Sequence, residues 1–280
     1  MKQRIITALI LAPLVILGIF HLPLMGFIIA LTAITLLGFW EWTQFTESRS
    51  RVTALIPAVV VTGLSFLFIS PDAQSLNNLS SSHYLILTIG LVWWLIASGL
   101  AITYPKSTPL WQSNHLLRHL FGFLTLIPFM WSVILLRAAE IQVDPYHGAK
   151  LVLYVCSLVW AADSGAYFAG KSLGKRKMAP QVSPNKTIEG LFGGIIAALI
   201  ISWLFADWFD ITFSSPMHMM FITLCTVVIS VLGDLVESMF KRVSGIKDSS
   251  NMIPGHGGIL DRIDSLTAAF PVFALLYYVL

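Results

Sequence analysis

The densest run of chemically active side chains extends from Ser238 to Asp264 and reads SMFKRVSGIKDSSNMIPGHGGILDRID. Three cations precede a glycine-rich stretch, and two carboxylates three residues apart follow it. Cations neutralise phosphate groups, and carboxylates supply the hard oxygen ligands that divalent cations bind. The run therefore predicts phosphate and metal chemistry.

Carboxylates recur at a spacing of three residues in and before this run. Asp261 and Asp264 share one face if their segment is helical. Asp234 and Glu237 repeat the spacing at the end of the preceding apolar segment, and the intervening chain is long enough to fold back. Acids at membrane depth are costly unless they have a use, and binding a divalent cation is one. The alternative is a structural salt-bridge network with neighbouring lysine and arginine side chains.

The stretch from Pro254 to Gly258 reads PGHGG. Glycine permits unusual backbone angles and lets N–H groups approach an anion closely. An ordinary tight turn is the alternative, and His256 is compatible with either a phosphate donor or a turn-stabilising side chain. Flanking Lys247 and Asp248 favour an anion-binding loop.

A second polar run, from Asp163 to Gly190, reads DSGAYFAGKSLGKRKMAPQVSPNKTIEG. Asp163 continues an unbroken apolar segment, so we expect it within or at the edge of the bilayer, where an ionisable group is a functional candidate. Its alternative role is to pair with Lys171, one or two helical turns away. The run also contains a basic patch that is compatible with a purely topological role, formed by Lys171, Lys175, Arg176 and Lys177.

The end of the second run has the pattern of a helix start. Ser183 is the expected N-cap, with Pro184 at the first helical position and Lys186 and Thr187 in the first turn. Free N–H groups at a helix start attract anions. The pattern therefore predicts a second anion site.

Composition determines which elements position these residues. Hydrophobic residues make up 56% of the 280 residues and charged residues 11%, and the mean hydropathy is +0.81. These values are typical of polytopic membrane proteins, not soluble domains. We expect one integral domain over residues 1–280, with amino-terminal helices in 1–150 and the site-bearing part in 151–280. The basic start resembles a signal peptide, but a second apolar run follows at once, which favours a helical hairpin.

A membrane span needs about 20 mainly apolar residues. The pattern predicts an all-α bundle of about nine transmembrane helices, with eight to ten compatible. The expected spans are residues 5–22, 24–40, 52–69, 84–103, 118–136, 150–169, 188–206, 217–236 and 265–280. Cys156 and Cys225 fall inside spans and are interpreted as packing residues.

Lysine and arginine are retained on the cytoplasmic side of a membrane. With the amino terminus inside, 15 of the 17 cations lie inside, and only Arg137 and Lys150 lie outside. Both polar runs then face the cytosol. The net charge of +3 does not indicate nucleic-acid binding, because the cations lie in loops beside the membrane, where anionic headgroups can contact them.

The run from Ser238 to Asp264 resembles the signature of the bacterial phosphatidate cytidylyltransferase (CDP-diacylglycerol synthase) family. The shared pattern is S-x-x-K-R, four residues, K-D, then P-x-H-G-G-x-x-D-R-x-D. The resemblance extends to D-S-G-A-Y-F-A-G-K-x-x-G-K, to S-P-N-K-T-I-E-G and to the multi-span layout. Ile188 departs from the aromatic residue that many relatives carry there, which affects local packing only.

The resemblance implies a reaction in which CTP and phosphatidate give CDP-diacylglycerol and pyrophosphate, with Mg²⁺ at a two-metal site. It also implies a homodimer in the bacterial inner membrane. Because the nucleophile is an ionised phosphate oxygen, no strong general base is needed. One substrate is soluble and the other lies in the bilayer, so we expect a funnel open sideways to lipid, with Asp261 on its floor.

The resemblance also implies roles for individual residues. The metal ligands would be Asp234, Asp261 and Asp264. The catalytic set would add Lys247, Asp248 and His256 to those three. Substrate contacts would come from Asp163, Lys175, Ser183, Lys186, Thr187, Glu189, Ser238, Lys241, Arg242 and Arg262.

Two other classes share part of this pattern. A secondary transporter would also bury acids and lysines, but it would show paired halves with broken helices near the midplane. A CTP-dependent lipid kinase, such as a polyprenol kinase, would transfer the γ-phosphoryl group instead. The released product separates them: pyrophosphate for the cytidylyltransferase, CDP for the kinase, and neither for the transporter.

Overall fold

The computed structural model describes residues 2–46, 48 and 50–280, with backbone alone for residues 2–6 and 8. The helices, in chain order, are α1 Lys2–His21, α2 Leu24–Trp42, α3 Arg51–Phe68, α4 Ala73–Asn77, α5 Ser81–Ile102, α6 His115–Ala138, α7 His147–Leu173, α8 Ile188–Trp208, α9 Pro216–Val243 and α10 Leu260–Val279. A short 3₁₀ helix spans Thr108–Leu110, and two strands, β1 Lys177–Ala179 and β2 Ser183–Thr187, form an antiparallel hairpin.

The prediction of an all-α membrane bundle is confirmed. Within the described residues, eight helices are long and apolar enough to cross a membrane: α2, α3 and α5 to α10. The remaining predicted span, residues 5–22, corresponds to α1, in which the fully described stretch Leu9–His21 is an apolar helix. The expected hairpin between the first two helices is also present, because α1 ends at His21 and α2 begins at Leu24 after Pro23.

The predicted helix start at Ser183 is wrong. Ser183 and Pro184 lie in β2, and α8 begins at Ile188. Thr187 is the N-cap of α8, where its hydroxyl accepts a hydrogen bond from the N–H of Gly190 at 3.1 Å. The fixed φ of proline suits the edge of a sheet as well as a first helical turn, so the sequence pattern was compatible with both.

The core centres on α6. In its apolar 18-residue stretch 78% of the residues are buried, compared with 17% in the corresponding stretch of α3 and 22% in that of α8. Met130, Trp131 and Ile134 of α6 are fully buried. The outer faces of α3 and α8 instead expose large apolar side chains such as Val60 and Trp203. Such surfaces suit a hydrocarbon environment, where all backbone groups are satisfied within helices.

Contacts between distant helix ends establish which loops share an end of the bundle. Arg118 at the start of α6 donates to the carbonyl of Phe45 after α2, and Thr7 in α1 donates to the carbonyl of Pro254. Arg137 at the end of α6 donates to the carbonyl of Ile19 near the end of α1. Residues 43–46 and the loop 244–259 therefore lie at one end, and Arg137 lies at the other, as the cation pattern predicts.

Candidate active site at one end of the bundle

Asp261, in the first turn of α10, is buried and saturated with hydrogen bonds. Its Oδ1 accepts from Lys241 Nζ at 2.9 Å. Its Oδ2 accepts from the N–H of Ser249 at 2.8 Å, the hydroxyl of Ser249 at 2.9 Å and the N–H of Gly258 at 2.7 Å. An ionised carboxylate offers about four acceptor positions. Asp261 therefore organises the loop before α10 as well as pairing with a lysine.

Lys241, in the last turn of α9, pairs with two carboxylates. Its Nζ lies 2.9 Å from Asp261 Oδ1 and 3.3 Å from Glu237 Oε1, one helical turn earlier. Glu237 is also buried, and neither of its carboxylate oxygens makes a hydrogen bond among the described residues. Glu237, which the motif assignments omit, thus carries unused acceptor positions next to the predicted metal ligands.

Asp234 lies one turn before Glu237 and pairs with the hairpin. Its Oδ2 lies 2.7 Å from Nζ of Lys186 in β2, and its Oδ1 accepts from the hydroxyl of Ser238 at 3.2 Å. Lys186 also donates to the carbonyl of Val231 at 3.2 Å. Strand β2 therefore places a cation of the second polar run next to an acid that lies just before the first.

Asp264 completes this group from the second turn of α10. Its Oδ1 accepts from the N–H of Ser265 at 2.7 Å, and its charge interacts with Asp234 and with Glu237. Asp163 of α7 interacts electrostatically with Asp234 and with two cations, Lys186 and Arg262. The structure thus gathers five acids, here called the acidic cluster: Asp163, Asp234, Glu237, Asp261 and Asp264.

The acidic cluster has the donor chemistry of a hard divalent cation site, because its members are mutually repelling carboxylates with unused oxygens on Glu237. In the part of the chain that the structure describes, no three histidine, cysteine or acidic residues lie in an arrangement that could hold a metal ion. The metal assignment of Asp234, Asp261 and Asp264 stays a prediction.

The loop before α10 lines a cavity of about 610 Å³, within the usual range for small-molecule sites. Its lining includes Asp248, His256 and Arg262. Nδ1 of His256 is buried without a hydrogen bond within the described residues. The same loop is a tight turn, since Ile253 and Gly257 form an isolated β-bridge. The turn interpretation of the glycine run is therefore confirmed, and its anion-binding role stays a prediction.

Glycine is required at position 257 of this turn. Gly257 has a φ of 83°, in the region that favours glycine. A Cβ atom there would lie 2.6 Å from Oδ2 of Asp261. Any side chain at 257 would therefore displace the carboxylate that holds the loop.

The remaining predicted residues surround the hairpin and the loop. Glu189 accepts from the N–H groups of Lys175 at 3.0 Å and Arg176 at 3.1 Å, so it holds the base of the hairpin. Arg242 donates to the carbonyl of Val182 at 3.2 Å. These contacts hold the hairpin, and the substrate contacts assigned to Glu189 and Arg242 stay predictions. Lys247 is exposed in the loop next to Asp248.

Glu41 is the main residue that the motif analysis does not identify. It lies in the last turn of α2, has 0% exposure, and accepts hydrogen bonds from Ser249, Ser250, Ile259 and Leu260. Gln44 adds a contact from its side chain to the carbonyl of Ser249. The available signal was an acid directly after an apolar run, a position where acids are costly.

The stretch from Gly165 to Ser172 reads GAYFAGKS and matches the consensus G-x-x-x-x-G-K-[ST] of a phosphate-binding P-loop, a match not considered above. In the structure it lies within α7, so it does not form the loop that this consensus requires. A Cβ on Gly165 would lie 2.7 Å from the carbonyl oxygen of Gly193 in α8. These glycines serve helix packing.

The helical bundle and this site together define a membrane-embedded protein that gathers acids, lysines and a glycine-lined cavity at one end. The cavity and the acidic cluster are suited to anionic ligands that bind together with cations. The chain belongs to the cytidylyltransferase family, whose sequence profile matches residues 2–280. The resemblance found in the motifs is thereby confirmed.

Curated relatives agree over nearly the full length. A phosphatidate cytidylyltransferase of Haemophilus influenzae is 46% identical over 99% of this chain and 99% of its own. One of Pseudomonas aeruginosa is 41% identical over 99% of this chain and 97% of its own. One of Bacillus subtilis is 34% identical over 100% of this chain and 97% of its own.

Proposed function

We propose that this protein transfers the cytidylyl group of CTP to phosphatidate, releasing pyrophosphate. The observation that carries the proposal is the joint position of the acidic cluster and the loop cavity at one end of a membrane bundle of this family. A soluble nucleotide can reach a loop cavity at the end of a bundle. A lipid phosphate can reach the same end without leaving the bilayer.

In the proposed reaction, a phosphatidate phosphate oxygen attacks the α-phosphorus of CTP in line. A new P–O bond forms, and the bond from the α-phosphorus to the oxygen bridging it to the β-phosphorus breaks, so pyrophosphate leaves. The attacking oxygen is already ionised, and no strong base is required. Arg262 and His256, which line the cavity, supply donors for the triphosphate and the leaving group.

Magnesium, when bound, would neutralise charge that builds up on the phosphates during transfer. Among its proposed ligands, Asp234 and Asp264 carry fewer hydrogen bonds than Asp261. Asp261 can contribute only if the loop or Lys241 releases a donor. Lys186 and Lys241 would meanwhile limit repulsion within the acidic cluster.

We propose that the site faces the cytosol of a bacterium, in its inner membrane, because most cations lie at that end. The lateral funnel for lipid stays a prediction.

A homodimer is proposed from the family resemblance alone. Light scattering of the purified protein would test it, and a monomer mass would contradict it.

The activity is tested by incubating purified protein with phosphatidate and CTP labelled at the α-phosphorus, with and without Mg²⁺. We expect label in the lipid fraction and release of pyrophosphate, both dependent on Mg²⁺. Labelled CDP with an unlabelled lipid would instead identify a kinase. Absence of both products would overturn the assignment as an enzyme of this kind.

A further inference from the structure

We propose that Glu41 is a positioning residue for the cytidylyl transfer: from α2 it holds the loop and helix start that carry Asp261 and Asp264. This inference rests on the proposed function. It concerns a residue outside both polar runs, in the amino-terminal half of the chain.

The carboxylate of Glu41 joins segments more than 200 positions apart in sequence. Its Oε1 accepts from the hydroxyl of Ser250 at 2.5 Å and from the N–H of Ile259 at 2.9 Å. Its Oε2 accepts from the hydroxyl of Ser249 at 3.0 Å and from the N–H of Leu260 at 2.7 Å. A donor thus faces each of the four acceptor positions of the carboxylate.

Two of these donors are the N–H groups at the start of α10. The N-cap residue of α10 is Ile259, whose side chain cannot cap a helix, and no side-chain cap bond is present there. The first N–H groups of a helix need external acceptors, and a negative charge at that end is favourable. Glu41 fills this role from another helix, so it sets where α10 begins.

Ser249 connects Glu41 directly to Asp261. Its hydroxyl lies 3.0 Å from Oε2 of Glu41 and 2.9 Å from Oδ2 of Asp261. One hydroxyl proton can bond to one acceptor at a time, while the backbone N–H of Ser249 keeps its bond to Asp261. A shift of Glu41 is therefore transmitted to the acid that pairs with Lys241.

The packing around this network is tight at Gly258. A Cβ atom on Gly258 would overlap the hydroxyl of Ser249 and lie 2.5 Å from both carboxylate oxygens of Glu41. Below the network, the ring of Trp42 contacts Phe240 at a centroid distance of 5.0 Å. Since the neighbouring side chain of α2 is also packed against α9, the carboxylate has a defined position.

The test compares Glu41→Gln with Glu140→Gln, the same change at the opposite end of the bundle. Glutamine replaces one acceptor oxygen with an NH₂ group, which would face a hydroxyl and a backbone N–H. We expect kcat to fall at least about tenfold, because a displacement of about 1 Å of a reacting group can cost about a hundredfold. The KM for CTP should rise by a smaller factor than kcat falls, since the side chains of His256 and Arg262 are retained. Glu140→Gln should behave as wild type.

A second readout needs no substrate. Hydrogen–deuterium exchange of the segment 249–262 should accelerate in Glu41→Gln, while exchange in α6 stays unchanged. The double variant with Ser249→Ala should lose less activity than the two single effects combined, because both act through one network. Full additivity would count against the proposed connection through Ser249.

Normal kcat and unchanged exchange in folded Glu41→Gln would overturn the proposal.

If Glu41→Gln does not fold, Ser250→Ala provides the test, since it removes one of the four donors to the Glu41 carboxylate. We then expect kcat to fall about two- to threefold at unchanged KM, the effect of a net loss of about 0.5 kcal/mol. Unchanged kcat would again overturn the inference. A wild-type protein that forms no CDP-diacylglycerol would contradict the proposed function instead, and the exchange comparison would still decide the role of Glu41.

Discussion

At the scale of single residues, the site is a balance between acids and the donors that hold them. Asp261 receives four hydrogen bonds, while the oxygens of Glu237 receive none within the described residues. Lys241 lies between these two acids. The two neighbouring carboxylates therefore differ in role: Asp261 orders the loop, and Glu237 keeps free acceptor positions.

Asp261→Asn removes the charge that Lys241 pairs with and converts one acceptor into a donor. We expect turnover to fall by at least about a hundredfold, the scale of losing one electrostatic contributor to a transition state. The labelled-CTP assay measures this, and gel filtration checks folding. Asp207→Asn at the exposed end of α8 is the matched control. Near-normal turnover in Asp261→Asn would contradict a role in the reaction.

Lys247→Ala should weaken the use of CTP more than the use of lipid. Lys247 is exposed beside Asp248, which lines the cavity, so its attraction to phosphate is about 1 kcal/mol, or roughly fivefold in apparent affinity. Initial rates at varied CTP and varied phosphatidate measure the two effects separately. Lys150→Ala, at the opposite end, is the control. An unchanged apparent affinity for CTP would remove Lys247 from the site.

At the scale of elements, the site depends on four supports: α9 and α10, α2 through Glu41, the hairpin, and the tightly packed pair α7 and α8. Lys186 of β2 reaches Asp234 of α9 at 2.7 Å, and Thr187 caps α8 directly after the strand. The position of Lys186 is therefore tied to where α8 begins. Close packing of α7 on α8 holds that start in place.

Gly193→Ala should destabilise the pair α7 and α8. A Cβ atom there would overlap the Cβ of Ala169 and lie 3.1 Å from the carbonyl oxygen of Gly165. Overpacking typically costs about 1–3 kcal/mol, which unfolding in detergent can measure. Gly63→Ala in α3 is the matched control, because nothing lies within 4 Å of its added Cβ. Equal stabilities of the two variants would contradict this packing.

At the scale of the whole molecule, one continuous core joins both halves of the chain. It includes Phe39 and Trp94 of the amino-terminal half together with Phe240 and Phe273 of the carboxyl-terminal half. The amino-terminal helices therefore support the site directly. Alternating long helices also place residues 43–46, the hairpin region 174–187 and the loop 244–259 at one end.

That end should face the cytosol. In a background with both native cysteines replaced by serine, Lys175→Cys should react with an impermeant thiol reagent in inside-out vesicles only. Ser75→Cys, between α3 and α5, should react in right-side-out vesicles only, because positive loops stay inside. The reverse labelling pattern would contradict the proposed orientation.

The sequence alone determined the membrane class, the hairpin at residues 21–24, the distribution of cations between two ends and the family. These properties follow from local composition and from contiguous motifs such as KD and PGHGG. Hydrophobic length is a one-dimensional property, so spans can be read from it. The helix start expected at Ser183 failed because proline fits a strand edge equally well.

Only the tertiary structure decided which acid bonds to which donor. The pairing of Asp234 with Lys186, the saturation of Asp261 and the role of Glu41 all join separate stretches of the chain. Such contacts depend on how helices pack and where their ends meet, which spacing along the sequence does not specify. A buried carboxylate needs donors, but the fold determines which donors are within reach.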